Sequence, residues 1–311
     1  MTIERIPVIF DTDLGEDIDD LYALYMALLH PTLDVIAVTT AHGDTLTKAR
    51  LAKKVLRLAG RSNIPVGVGI GMSEERIRRG QTWPDPVAAS SFMGYLTEAD
   101  DEWQQAFPDA QEVISEQVRK SSSPIAMVIE GAFSNIGKYL SSSRTHSNIR
   151  AIAVMGGEND AVMSEWNVFC DPEAADIVFA SGLPVFMGTY ELTSQMIMPM
   201  DMVEQEFGGK GNAIYNVLYD CTVLWGEKHL AWRPGPVLYD LAPLFWLIDP
   251  KSIPIKRSWV RVELNGTYTR GQTVRVNGDG EGNVYESIDL NADALVNDFI
   301  DIIHKGVNTS S

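Results

Sequence analysis

Cysteine is almost absent from this sequence, Cys170 and Cys221 being the only two in 311 residues. That excludes a disulfide scaffold, and a lone pair in so long a chain reads as two reduced thiols. No apolar run approaches the roughly 18–20 residues that cross a bilayer. Residues 1–7 lack the charged and apolar regions of a signal peptide, so the expectation is a cytoplasmic protein with no membrane partner. Basic residues are scarce too. Twenty-five Lys and Arg against 42 Asp and Glu leave a formal charge of −17, which repels phosphate backbones and excludes nucleic acid as a partner. What is plentiful is apolar residues, 45% of the chain, enough for a large core, and 1–311 reads as a single domain.

Short runs rich in Val and Ile at 6–10, 34–40, 125–129, 151–155 and 183–187 alternate with amphipathic stretches such as 18–29, 46–58 and 172–180. Runs apolar on both faces are parallel strands covered on two sides, and the stretches between them are crossover helices. The fold class is therefore α/β with a mainly parallel sheet. From 71 to 123 the pattern dissolves into Pro, Ser and charged residues around a helix at 109–120, an irregular excursion with the length of a pocket lid. After residue 250 the alternation at 258–264, 272–276 and 284–288 predicts a small antiparallel β addition, followed by a last helix at 292–304. The Gly-rich segment 277–283 reads as a hairpin turn, since neither the Lys-Ser/Thr pair nor the helix of a phosphate loop follows it.

The most informative stretch is Asp11-Thr12-Asp13-Leu14-Gly15-Glu16-Asp17-Ile18-Asp19-Asp20. It lies at the carboxyl end of the first strand, where open α/β sheets place their ligands. Helix capping explains two or three of these carboxylates, but not five aspartates with Glu16 beside them. Like charges so close raise one another's pKa unless a cation neutralises them. All-oxygen donors without His or Cys suit Ca²⁺ or Mg²⁺, and a mixed carboxylate and carbonyl shell suits Ca²⁺. An EF-hand loop begun at Asp11 fails, because its sixth and twelfth positions hold Glu16 and Tyr22 instead of Gly and Glu. A strand end of the haloacid-dehalogenase type, with Asp11 as nucleophile of a phosphotransferase, is the competing reading.

The acidic stretch resembles the Asp-x-Asp-Pro-Gly-x-Asp-Asp signature of the inosine-uridine-preferring nucleoside hydrolase family, with Leu14 for Pro and two extra residues before the final pair. The likeness continues through Gly43-Asp44-Thr45, Glu130-Gly131-Ala132-Phe133-Ser134-Asn135, Val154-Met155-Gly156-Gly157, Glu165-Trp166-Asn167-Val168-Phe169-Cys170-Asp171-Pro172 and Leu238-Tyr239-Asp240 to Thr269-Arg270-Gly271. The resemblance implies a Rossmann-like fold and hydrolysis of the N-glycosidic bond of ribonucleosides to base and ribose, in nucleoside salvage, by a homodimer or homotetramer. It implies that Asp13, Asp20, Asp240 and the main-chain carbonyl of Glu130 hold Ca²⁺. Asn159, Glu165 and Asn167 would bind the ribose hydroxyls and Met155 would pack beneath the ring, with Asp44 and Trp166 also on the substrate. Either Asp17 or Asp19 takes the family's ribose-binding aspartate position.

Hydrolysis of such a bond needs a nucleophilic water, a stabilised oxocarbenium-like sugar and a base that leaves protonated. On the resemblance, Asp13 would be the general base for a water that Ca²⁺ would orient and acidify. The departure from the family pattern is on the leaving side. Where many members carry His before the metal-binding Asp, this chain has Tyr239, and His229 is the alternative proton donor, with His42 at a strand end nearby. Arg76, Arg78, Arg79 and Trp83 lie in the excursion as a basic loop. The absence of the usual imidazole keeps open a catalytically impaired nucleoside- or sugar-binding protein.

Overall fold

A computed structural model of the chain describes residues 5–81, 91–143, 145–231 and 233–310. Its strands are β1 (Ile6–Thr12), β2 (Leu33–Thr40), β3 (Val66–Val68), β4 (Ile125–Ile129), β5 (Ile149–Met155), β6 (Val185–Gly188), β7 (Ile255–Ser258), β8 (Val260–Val262), β9 (Thr273–Arg275) and β10 (Val284–Ser287). The central sheet has the order β3-β2-β1-β4-β5-β6-β10-β7, all parallel except β7, which runs antiparallel to β10 on the edge.

The apolar runs become central strands because alternate side chains enter opposite layers. Val8 and Phe10 of β1, with Ala126 and Val128 of β4, pack under helices Asp19–Leu29, Leu241–Ile248 and Ala292–Ser310. Ile9, Met127 and Ile129 face the other way, under Ala110–Lys120, Ser134–Ser142 and Pro172–Phe179. The chain leaves β1 toward β2 and β3 and returns on the other side as β4. That reversal opens a crevice between the carboxyl ends of β1 and β4, the place where a doubly wound sheet binds its ligand.

The antiparallel addition is the pair β8–β9. The predicted strand 258–264 breaks at Trp259 into two strands serving different sheets, and the third predicted strand, β10, inserts into the central sheet between β6 and β7. Segment 277–283 is consequently not a hairpin: it turns, but it links β9 to a strand of the other sheet. Gly282 has φ 105° and an added Cβ would lie 2.6 Å from the Ser258 backbone, so the turn needs glycine there. The excursion holds helix Glu74–Arg78, a 3₁₀ turn at Met93–Tyr95 and helix Ala110–Lys120. Trp83 lies outside the described residues. Both cysteines are free and buried. Among the described residues no helix is long and apolar enough to cross a membrane.

Candidate active site

The crevice opens into a cavity of about 460 Å³ lined by Asp13, Glu16, Asp17, Asp19, Asp20, Glu130 and Asp240 on its acidic side. Asp11 is not among them. Its carboxylate accepts hydrogen bonds from Thr39 Oγ1 (2.5 Å) and Asn135 Nδ2 (2.8 Å), tying β1 to β2 and to helix Ser134–Ser142. Burial pushes that carboxyl up to about 7. The Thr12 hydroxyl donates to the Asp20 carboxylate and accepts from the Leu14 amide (3.0 Å), which shapes the loop. Gly131, at the end of β4, lets the two strand ends approach: a Cβ there would sit 2.9 Å from the Asp13 amide nitrogen.

Oxygens of Asp19, Asp20 and Asp240 lie within 4.8 Å of one another, and all three residues are buried. Asp19 and Asp20 occupy the first turn of their helix, while Asp240 starts helix Leu241–Ile248 without capping it, so its carboxylate is left for the cavity. Burial first, and then the neighbouring carboxylates, hold all three well above the usual aspartate range. Asp240 Oδ2 has no hydrogen-bond partner among the described residues. An all-carboxylate trio with an unsatisfied buried oxygen fits a hard divalent cation. Asp13 touches Asp20, and burial also raises its carboxyl, opposed by the ammonium of Lys48. The Glu130 main-chain oxygen faces Asn167 Nδ2 at 3.3 Å.

The opposite wall comes from β5 and the short helix Trp166–Cys170. Glu165 caps that helix, accepting from the amides of Asn167 (2.9 Å), Val168 (3.2 Å) and, across the turn, Gly157 (3.1 Å). Three N–H donors favour its anion, yet burial outweighs them and pushes it up to about 6. Asn167 Nδ2 also reaches the Met155 carbonyl (3.2 Å), fixing the amide over the end of β5. Trp166 stands 42% exposed at the mouth, edge-on to His42 at 5.6 Å.

Tyr239 stacks on Tyr190 (centroids 5.7 Å, 17°), with the Arg233 guanidinium 5.8 Å from its ring. Burial raises the Tyr239 phenol and so weakens it as an acid. His229 lies flat on Trp225 and its Nε2 is 2.6 Å from Ser91 Oγ; burial lowers its pKa. Tyr190 and Arg233 escaped the sequence reading. Tyr190 follows the carboxyl end of β6, a position the strand-end rule singles out, and Arg233 lies on the approach to Asp240.

Two expected substrate residues are not brought to the cavity. Asp44 is exposed and caps helix Thr45–Leu58, accepting from Thr47 N (3.1 Å) and Oγ1 (2.7 Å). One turn later the same helix sends in Lys48, which is buried and paired with Glu16; His42 Nε2 lies 3.5 Å from the same carboxylate. Asn159 turns away to donate to Glu286 (3.0 Å), which Arg275 also binds. In the excursion, Arg78 and Arg79 pair with Glu75, and Arg76 packs on Phe169 and donates to its carbonyl (2.9 Å).

The sequence profile of the inosine-uridine preferring nucleoside hydrolase family matches residues 8–297. The chain belongs to that family. It is an N-glycosyl hydrolase by that membership. The pyrimidine-specific ribonucleoside hydrolase RihA of Citrobacter koseri is 32% identical over 280 residues, covering 86% of this chain and 88% of its own. An Escherichia coli RihA is 30% identical over 279 residues with the same coverage of 86% and 88%. Among solved structures, the plant nucleoside hydrolase PpNRh1 superposes with a TM-score of 0.81 at 25% identity, over 96% of this chain and 98% of its own. A purine-preferring ribonucleoside hydrolase from Gardnerella vaginalis shares the fold, with a TM-score of 0.83 at 22% identity over 97% and 99% of the two chains. None of these relatives supports the phosphotransferase or the binding-protein alternative.

Proposed function

We propose that this nucleoside hydrolase cleaves ribonucleosides in the crevice between β1 and β4, with Asp13 as general base. The cation is calcium, held by Asp20, Asp240, Asp13 and the main-chain oxygen of Glu130, with Asp19 in the same cluster. The observation that carries this reading is the convergence of three buried carboxylates, one with an unsatisfied oxygen, on a cavity of about 460 Å³. A divalent cation there supplies Lewis-acid charge, which makes a nearby water more acidic and balances the carboxylates. Calcium as its identity, and a homodimer or homotetramer, rest on the family resemblance.

Asp13 accepts the proton of the attacking water. Glu165 and Asn167, immobilised by their own hydrogen bonds, accept from and donate to the sugar hydroxyls, and Met155 packs beneath the ring, so that binding energy goes into orientation. The carboxylates under the ring favour the positive charge that develops on the sugar. Tyr239 with Tyr190, and Trp166 at the mouth, offer flat apolar faces for a base. Ser91 lines the cavity, which supports reading the excursion as its cover.

The test is chromatography of uridine, cytidine, inosine and adenosine incubated with the protein and calcium, then with a chelator. Free base and ribose from at least one nucleoside, lost on chelation, is the expected result. The bacterial relatives make the pyrimidines the first to try. No base released from any of the four would overturn the proposal.

A further inference from the structure

Asp17 falls within the stretch where this chain is two residues longer than the family signature, and its side chain, at the cavity wall, is held by three donors. Oδ1 accepts from the Trp225 indole (2.7 Å) and from the Ile18 amide (2.8 Å), and Oδ2 accepts from Arg233 Nη1 (3.2 Å). Two arms leave this carboxylate. One runs through Trp225, fully buried, whose ring lies 4.8 Å from that of His229 and parallel to it within 2°. The other runs through Arg233 to the Tyr239 ring, 5.8 Å away.

The charge balance of the cavity says what the arms are for. Eight carboxylates line it, and Arg233 is the only Lys or Arg doing so among the described residues. Carboxylates favour a sugar turning positive. They oppose the other half of the same event: as the C1′–N bond breaks, its electron pair passes to the base nitrogen, and the base carries that negative charge until it is protonated. A guanidinium fixed in place and an oriented imidazole meet that demand without reorganising during the reaction. Arg carries a long, rotamer-rich side chain, so something must hold it, and the ion pair with Asp17 does.

Resting on the hydrolase reading above, we infer that Asp17 is a positioning residue for the departing base: it fixes Arg233 directly and His229 through Trp225. The sugar and the cation are served by other residues.

The test uses the calcium-loaded enzyme and two substrates, the best nucleoside of the panel and p-nitrophenyl riboside, whose leaving group departs as a stable phenolate. In Asp17→Asn the ratio of kcat on the nucleoside to kcat on p-nitrophenyl riboside falls by about tenfold or more, within the range of proton-transfer and charge assistance. In Trp225→Phe, which removes the indole donor and keeps a ring against His229, the ratio falls by less. An unchanged ratio, with both rates lowered equally or neither lowered, overturns the inference. If Asp17→Asn does not fold, Trp225→Phe decides by the same ratio. Should the unmodified protein release neither base nor nitrophenol, it is the hydrolase reading that fails.

Discussion

Stripping the cation should expose the repulsion stored in the acidic crevice as a pH-dependent loss of stability. Burial raises the carboxyls of Glu165 to about 6, Asp11 to about 7 and Glu16 to about 8, from ordinary values of 4.5, 3.8 and 4.5. An acid with a higher pKa folded than unfolded binds more protons when folded, so stability is greatest below the unfolded pKa and falls as pH climbs toward the folded one. For Glu165 the window runs from 4.5 to about 6. At about 1.4 kcal/mol per pH unit this single group costs about 2 kcal/mol across that window, or about 3 °C in melting temperature for a chain of this size. Asp11 and Glu16 act with the same sign and extend the loss toward neutral and mildly alkaline pH. Calcium reverses it. Present at about 100 times its dissociation constant, it stabilises the folded state by about 2.7 kcal/mol, and more of the carboxylates are free to bind it as pH rises. Thermal melts from about pH 5 to about pH 8, in chelator and in calcium, give both quantities. The expected result is a falling profile in chelator and a calcium shift that grows with pH. A chelated protein whose melting temperature stayed flat or rose over that range would refute the account of the crevice.

Asp13→Asn should lower kcat by about 10²–10⁴-fold, the usual yield of a general base, while melting no lower than the parent in chelator because one of several like charges is gone. Asp44→Ala should cost about 1 kcal/mol in urea unfolding through loss of a helix cap, with kcat and KM unchanged; a raised KM would return Asp44 to the substrate. Lys48→Met leaves the Glu16 carboxylate without its buried ammonium, and breaking such a pair costs about 3–5 kcal/mol. The Lys48→Met, Glu16→Gln double variant should recover part of that loss, and strictly additive unfolding energies would show that the two groups do not interact.

Much of the fold was legible because a strand buried on both faces must be apolar throughout: β1, β2, β4, β5 and β6 fall on the five apolar runs. β3 escaped, being three residues with Gly67 at its centre, where an added Cβ would meet Ala110 at 2.8 Å. The place of β10 was out of reach for a different reason. Its pairing of Val284 with Val185 joins residues far apart in sequence, and only the packed sheet decides it. In the crevice, the acidic strand end could be read from the density of its carboxylates, whereas Asp240 came only through the family resemblance, and Asp19, expected with Asp17 at the ribose, lies beside Asp20 and Asp240. Asp44 and Asn159 sit in segments that match the family, yet their side chains are turned by local bonds, to a helix amide and to Glu286, which no motif spacing reveals. Arg233 and Tyr190 flank the recognised motifs, and their meaning comes from the tertiary neighbours Asp17 and Tyr239.

The seat of β10 has a consequence for the birth of the chain. On the ribosome the strands from β1 to β6 emerge in order and can assemble as they appear, but β6 must wait for its second neighbour until Val284–Ser287 has been made. Throughout that interval Val185, Phe186 and Met187 stand on an open edge, apolar on both faces and with half their backbone hydrogen bonds unmade. Truncation anywhere before β10 should therefore yield aggregates in place of a smaller folded unit, and the chain's last stretches act as the closing strip of a sheet begun at its first.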